Sequence, residues 1–206
     1  MTERGWRLAA GIVASVLLGV CACTPGPGNG TAGSGPAPPP PTASSRARPP
    51  CQPAALALGY GPQLSPMTGE HGDFYALVNR GASVCTLAGY PGITLYDANG
   101  APLPFHYTRK HSPYVTAAPP VTVTLRPGAS AWLLVAKYRC DTGIGRNATT
   151  IRITVPGAQY AVVTGRVSAS GAGVSALSYC LGGVNDPGQT VAVSPIEPAL
   201  QATGRR

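Results

Sequence analysis

The chain has 206 residues, a formal net charge of +8 at pH 7 and only 11% charged residues. Its basic side chains are scattered along the sequence, whereas a nucleic-acid-binding surface needs them clustered on one face, so no nucleic-acid partner is expected. Beyond the N-terminal segment, no window of helical length carries an apolar stripe, which argues against a helical protein.

The N-terminal segment has the charged, apolar and small-residue order of an export signal. Arg4 and Arg7 precede an apolar run from Leu8 to Val20, which is too short to span a bilayer comfortably. Small residues then lead to Cys23, and the arrangement resembles a bacterial lipobox, in which the cysteine after the cut receives a diacylglycerol. We therefore expect residues 1–22 to be a lipoprotein-type signal peptide and Cys23 to be the lipidation site that anchors the protein to the cell membrane, outside the cytoplasm. The alternative is a secreted product that starts at the same cysteine.

Residues 23–50 are rich in proline and glycine and contain almost nothing that could pack. Such a stretch cannot bury enough apolar surface to offset its chain entropy, so it is predicted to be a disordered tether. The remaining residues, 51–204, have the usual size of one domain with its own core.

Four cysteines lie in the predicted domain: Cys51, Cys85, Cys140 and Cys180. They form no C-x-x-C pair and no histidine lies at a zinc-finger spacing, so a zinc site is not expected. An even number of cysteines in an exported domain predicts two disulfides, for which three connectivities exist. We favour the pairs Cys51–Cys85 and Cys140–Cys180, because sequential pairing joins neighbouring halves of the domain without crossing.

Apolar and polar residues alternate with a period of two in much of the domain, which is the pattern of half-buried strands. The predicted strands are 54–60, 74–79, 93–97, 102–107, 121–125, 131–138, 151–155, 159–164 and 190–194. The stretch 131–138 is apolar on both faces and is predicted to be central, whereas Pro102 and Pro104 place their strand at an edge. The pattern predicts an all-β fold, an antiparallel two-sheet sandwich of immunoglobulin-like type, with Trp132 in its core.

Two blocks of sequence carry a family resemblance. The segment from Asn79 to Gly100 contains Cys85-Thr-Leu-Ala-Gly-Tyr-Pro-Gly, an aliphatic strand and then Asp97, and the segment from Val123 to Ala131 contains a strand followed by Arg-Pro-Gly-Ala. Together they resemble a family of exported actinobacterial domains, domain-of-unknown-function family 4232, over about residues 51–195. The resemblance implies a β-sandwich that is often carried on a lipoprotein or secreted chain after a low-complexity linker. It implies no catalytic residue.

The usual catalytic and nucleotide-binding motifs are absent from the sequence, including G-x-S-x-G, H-E-x-x-H and the P-loop. We expect no catalytic residue, no cofactor and no metal. One cluster gives an alternative hypothesis. Glu70, His71 and Asp73 lie together in a predicted loop before a strand and could bind one cation. Such a loop is more often simply solvated.

Three functions are compatible with these observations. The preferred one is a non-catalytic binding or interaction module that presents its surface to a cell-wall polymer, a small ligand or another exported protein. The second is an exported hydrolase or metal-binding protein that uses the loop with Glu70, His71 and Asp73, which requires these side chains to converge in one pocket. The third is a purely structural protein of the envelope.

Overall fold

The computed structural model describes residues 47–65, 67–110, 112–116, 118–157, 162–168 and 176–200. The expected signal peptide, Cys23, nearly all of the expected tether and residues 201–204 lie outside these ranges. Within the described ranges, no helix combines the length and the hydropathy that crossing a membrane requires.

The described residues form a sandwich of β-sheets. Its strands are β1 (Leu56–Leu64), β2 (Glu70–Asn79), β3 (Cys85–Leu87), β4 (Gly92–Tyr96), β5 (His106–Thr108), β6 (Val123–Leu125), β7 (Ser130–Tyr138), β8 (Ile144–Arg146), β9 (Thr150–Thr154), β10 (Val162–Arg166), β11 (Tyr179–Cys180) and β12 (Thr190–Val193). One sheet has the order β1-β2-β7-β12-β5 and the other has the order β10-β9-β4, while β11-β8 and β3-β6 form separate pairs. The prediction of an all-β sandwich is confirmed.

One strand pairing departs from the antiparallel prediction. β12 runs parallel to β5, with Thr190 paired with His106. The two strands are separated in the chain by β6 to β11, and a parallel pair needs such a long connection rather than a hairpin. Strand β5 is at an edge of its sheet, as Pro102 and Pro104 predicted. The short strands β3, β8 and β11 were not predicted, since two or three residues carry no readable alternation.

The main core lies between the inner faces of the two large sheets. Alternate residues of β2 and β7, including Tyr75, Leu77, Leu133 and Val135, are at most 1% exposed and belong to one apolar cluster with residues of the facing sheet. That facing sheet contributes a set of aliphatic side chains: Ile93, Leu95, Ile151, Ile153 and Val163. This two-residue alternation is what the pleat of a strand imposes.

A second, smaller apolar cluster covers the outer face of the five-stranded sheet. Phe74, Leu134 and Ala136 lie on this face and pack with Val115, which belongs to the segment 112–116. Strand β7 is therefore buried on both faces, which explains why its sequence is apolar throughout. Trp132 also packs here and is only partly buried, so the prediction that it lies in the main core is wrong.

The first disulfide joins the start of the domain to β3. Cys51 is bonded to Cys85, the backbone N–H of Cys51 donates to the carbonyl of Thr86, and the N–H of Thr86 donates to the carbonyl of Pro49. The last residues of the expected tether are thus already paired with β3. The second disulfide joins Cys140 to Cys180. These are the two pairs that the sequence favoured.

Asn79 organises the turn that precedes the first disulfide. Its side chain is 1% exposed, and its amide nitrogen donates to the carbonyls of Ser83 and Leu125 over 2.9 and 3.1 Å. Its amide oxygen accepts from the N–H of Gly81 at 2.9 Å. A buried side chain that satisfies three backbone groups is costly to replace. This accounts for an asparagine at the start of the segment from Asn79 to Gly100.

Removing the first disulfide should cost a large part of the stability of the domain. The cysteines are 34 residues apart, and in the chain-entropy model a loop of this length contributes roughly 4 kcal/mol. We expect the double variant Cys51→Ala, Cys85→Ala to lower the free energy of unfolding by about that amount, measured by urea denaturation. Ser83→Ala, an exposed change in the same turn, is the control and should leave stability unchanged. An unaltered urea midpoint in the double variant would contradict the role of the bond.

Candidate functional site

A cavity of about 490 Å³ opens beside the second disulfide, at the end of the five-stranded sheet. We call it the first cavity. Its wall contains residues of β1, β2, β7 and β8 and of the segments that hold the disulfide: Gln63, Leu64, Ser65, His71, Lys137, Arg139, Cys140, Gly143, Ile144, Ala176 and Ser178. Polar and basic side chains make up much of this wall.

Lys137 is the most unusual residue of the first cavity, because its side chain is only 2% exposed. It lies on the inner face of β7, two residues after Val135, and is paired across the sheet with His71 of β2. Strand alternation explains the placement, since a strand whose residues 133 and 135 face the core must also turn residue 137 inward. The register of β2 and β7 therefore brings an amine and an imidazole to the same wall.

Among the residues that the structure describes, the ammonium of Lys137 has one strong acceptor and two weak ones. Its Nζ donates to the carbonyl of Tyr138 at 2.8 Å and lies 3.6 Å from the sulfur atoms of both Cys140 and Cys180. Disulfide sulfur is a weak acceptor, so most of the hydration that this charge would have in water is not replaced. Burial accordingly lowers the pKa of Lys137 to about 8, although Asp186 and Glu70 act in the opposite direction.

Asp186 supplies the negative charge behind the disulfide. Burial acts to raise the pKa of Asp186, but hydrogen bonds from Gly188, Thr142 and Asp141 outweigh it and keep the pKa below its usual value. The N–H of Gly188 donates to the carboxylate at 2.9 Å, and the Thr142 hydroxyl donates at 2.8 Å. Position 188 requires glycine, since a Cβ there would lie 2.6 Å from the Cys180 sulfur and 2.7 Å from the Tyr138 carbonyl.

His71 and Arg139 complete the basic character of the first cavity. The Nδ1 of His71 is hydrogen-bonded to the hydroxyl of Ser65 at 3.1 Å. Arg139 is mostly exposed and lies 3.9 Å from Asp141, a distance at which a surface pair contributes little. The arrangement offers N–H donors and positive charge to a small anionic group that enters from solvent.

The structure corrects the placement of Glu70, His71 and Asp73. These residues do not form a loop, because β2 begins at Glu70, four residues before the predicted strand. Successive side chains of a strand point to opposite faces, so Glu70 lies on the outer face while His71 and Asp73 lie on the inner one. The three side chains therefore do not converge in one pocket.

Each of the two carboxyl groups has its own surroundings. Burial raises the pKa of Glu70, against the lowering effects of a hydrogen bond from Ser112 and of the charges on His71 and Lys137. Burial also raises the pKa of Asp73, and this effect exceeds the lowering effect of a hydrogen bond from Gln63. Asp73 and Gln63 line a separate cavity of about 220 Å³, which we call the second cavity.

Among the described residues, one close group of three potential metal ligands occurs, and it consists of Cys140, Cys180 and Asp186. Two of these ligands are the sulfur atoms of the second disulfide, and a metal ion requires thiolates. This group is therefore not a metal centre in the oxidised protein.

Sequence reasoning missed Lys137 as a site residue and treated it as one of several scattered charges. The signal was nevertheless present: a lysine at residue 137 ends a stretch in which residues 131, 133 and 135 are apolar and alternate. A charged residue at an inward-facing position of a strand is expected to be buried or to line a cavity.

The lowered pKa of Lys137 makes stability depend on pH with a definite sign. Below pH 8 the lysine is protonated in both states, and the folded protein carries the cost of its burial. Between about 8 and 10.5 the unfolded chain holds a proton that the folded protein lacks, so stability rises with pH. At about 1.4 kcal/mol per pKa unit, the full rise is about 3 kcal/mol.

We expect Lys137→Met to abolish this rise, which urea denaturation between pH 7.5 and 10 would measure. The chain contains one other lysine, Lys110, which is exposed. The matched variant Lys110→Met should therefore keep the wild-type slope. Parallel slopes for Lys137→Met and the wild type would show that residue 137 is not the group responsible.

Asp73 is expected to destabilise the free protein at neutral pH. Because its pKa is raised, the folded protein takes up a proton at higher pH than the unfolded chain does, so stability falls as pH rises from 3.8 through the folded pKa. Asp73→Asn keeps the acceptor for Gln63 and removes the charge, and should stabilise the protein by about 1 kcal/mol at pH 7. Thermal unfolding would test this against Asp97→Asn, whose carboxylate accepts two backbone N–H bonds and should gain nothing. A destabilised Asp73→Asn would contradict the assignment.

A family model described as "Domain of unknown function (DUF4232)" matches residues 51–196. The comparison with curated proteins gave no match, and neither did the comparison with solved structures. The matched segment begins at Cys51 and includes both disulfides, Lys137 and the strands of both large sheets. Since it covers well over half of the chain, the protein belongs to the DUF4232 family.

Proposed function

We propose that this protein is a lipid-anchored protein of the cell envelope that carries a non-catalytic binding domain. The basic, apolar and small residues before Cys23 support an exported lipoprotein, and the Pro- and Gly-rich stretch 23–50 supports a tether between lipid and domain. Two disulfides favour an oxidising compartment. The membrane is then a partner through the lipid, and the domain is free to meet a ligand outside the cytoplasm.

The first cavity is the proposed binding site, and its ligand carries an anionic group. The observation that supports this is the ammonium of Lys137, which is buried against one carbonyl and two weakly accepting sulfur atoms. A carboxylate or phosphate oxygen accepts far more strongly than sulfur and would offset the cost of burying the charge. Fragments of a cell-wall polymer that bear carboxylates are ligands of this chemistry.

A binding role is favoured over hydrolysis by the geometry of β2. A hydrolase or metal site built from Glu70, His71 and Asp73 needs all three side chains on one reacting group or ion. Because Glu70 lies beside Ser112 on the opposite face of the sheet, the three cannot act together. A purely structural role gives no reason for a buried ammonium in a cavity wall.

The binding proposal is tested by titrating the protein with hexanoate and with inorganic phosphate, followed by NMR chemical shifts. We expect wild type and Lys110→Met to bind at least one of these anions, and Lys137→Met to bind it at least tenfold more weakly, since a charge-assisted hydrogen bond contributes about 1.5–3 kcal/mol. Equal affinity in Lys137→Met, or shifts confined to residues far from the first cavity, would overturn the proposal.

The anchoring proposal is tested by mass spectrometry of the N-terminus of the native protein. We expect a diacylglycerol on Cys23, and we expect Cys23→Ser to release the protein from the membrane fraction. Cys21→Ser is the matched control, because that residue lies within the segment removed, and it should leave the protein membrane-bound. An unmodified N-terminal Cys23 would instead establish the secreted form.

A further inference from the structure

The second cavity lies where β1 bulges away from regular pairing, close to β2 and the end of β10. The register of β1 against β2 shifts between Tyr60 and Gln63, and both residues line the cavity. Gly61 permits the bulge, because a Cβ at this position would lie 2.8 Å from Cβ of Phe74 and 2.9 Å from Cζ3 of Trp132. The cavity is therefore built by the strand geometry.

Asp73, which lines this cavity, has one carboxylate oxygen without a partner among the described residues. Asp73 is 6% exposed, and its Oδ1 accepts from Nε2 of Gln63 at 3.0 Å. Its Oδ2 is buried and has no hydrogen-bond partner within the part of the chain that the structure describes. A buried acceptor left unpaired costs free energy, and its cost is removed by a ligand that brings a donor.

The missing donor is best supplied by an ammonium group. A positively charged N–H makes the stronger, charge-assisted bond with a carboxylate, and the ring of Tyr60 in the cavity wall offers a second attraction for a cation. A metal ion fits poorly, since calcium takes six to eight oxygen ligands and one free carboxylate oxygen is far from that number.

The two cavities have one lining residue in common. Gln63 lines both of them, while His71 lines the first and Asp73 the second. His71 and Asp73 are two residues apart on the inner face of β2, which separates them by roughly 6–7 Å along the strand. Lys137, directly across the sheet from His71, completes the anionic end.

We propose that the two cavities form one site for a small zwitterion, with a carboxylate beside Lys137 and a primary ammonium beside Asp73. The class of ligand is an amino acid or a similar molecule whose two charges are separated by several bonds. The anionic half rests on the function proposed above. The cationic half rests independently on the unpaired oxygen of Asp73.

The test compares 5-aminopentanoate with hexanoate, which replaces the ammonium by a methyl group and keeps the chain length. NMR titration of the wild type should show at least tenfold tighter binding of 5-aminopentanoate. Asp73→Asn should abolish this preference and leave the affinity for hexanoate within twofold. Glu70→Gln, a nearby acidic residue on the other face, is the matched control and should keep the preference. Lys137→Met should weaken the binding of both probes.

The outcomes separate the two proposals. If hexanoate binds and 5-aminopentanoate binds no more tightly, or if Asp73→Asn retains the preference, the zwitterion site is overturned and the anion site survives. If neither probe binds the wild type, the zwitterion site is overturned, and the anion site is overturned with it when inorganic phosphate does not bind either. If Asp73→Asn fails to fold, the comparison of the two probes on the wild type still tests the zwitterion site. Pentylamine, which lacks the carboxylate, should then bind the wild type more weakly than 5-aminopentanoate does.

Discussion

The pairing of β2 with β7 is the constraint on which the rest of the structure depends. It runs without interruption from Glu70 opposite Tyr138 to Val78 opposite Ser130, at the centre of the larger sheet. A slip of one residue would reverse the face of every side chain on a strand, and both faces of these strands are packed. The register therefore determines together which residues form the core and which polar residues line the cavities.

This register leaves charged groups where a sandwich would otherwise be apolar. Lys137 and Asp73 occupy inward positions at the end of the sheet, and burial shifts the pKa of each toward its neutral form. Such groups lower stability, so the fold must gain stability elsewhere. The two disulfides, each closing a loop of 34 or 40 residues, are the clearest source of it. Polar residues retained at such a cost are typical of binding sites.

Much of the fold could be predicted from the sequence, because it depends on short-range patterns. Alternation located the long strands, and the double apolar character of 131–138 identified the central one. The start of β2 was misplaced because its first residues, Glu70, His71 and Asp73, are polar and read as a loop. They are in fact held in the strand by pairing with β7, a contact between segments about sixty residues apart in sequence. The parallel pairing of β12 with β5 has the same non-local origin.

The candidate site was harder to predict because it depends on which distant residues meet. The inward orientation of Lys137 could be derived from the alternation within the sequence of β7, whereas its proximity to the disulfide could not. The separation of Asp73 from Glu70 needed only the knowledge that they lie on a strand. The second cavity depends on a bulge in β1, and a bulge leaves little trace in sequence beyond a glycine that is also common in turns.

The second disulfide links the proposed location of the protein to its proposed chemistry. Cys140 forms part of the wall of the first cavity, and both sulfur atoms lie against the ammonium of Lys137. In the oxidised state the sulfurs are neutral and weak acceptors, so the ammonium keeps its capacity for an external anion. In a reducing compartment a thiolate would form beside it and compete for the same charge. The proposed binding of an anion therefore requires the disulfide, and disulfides persist in oxidising compartments outside the cytoplasm.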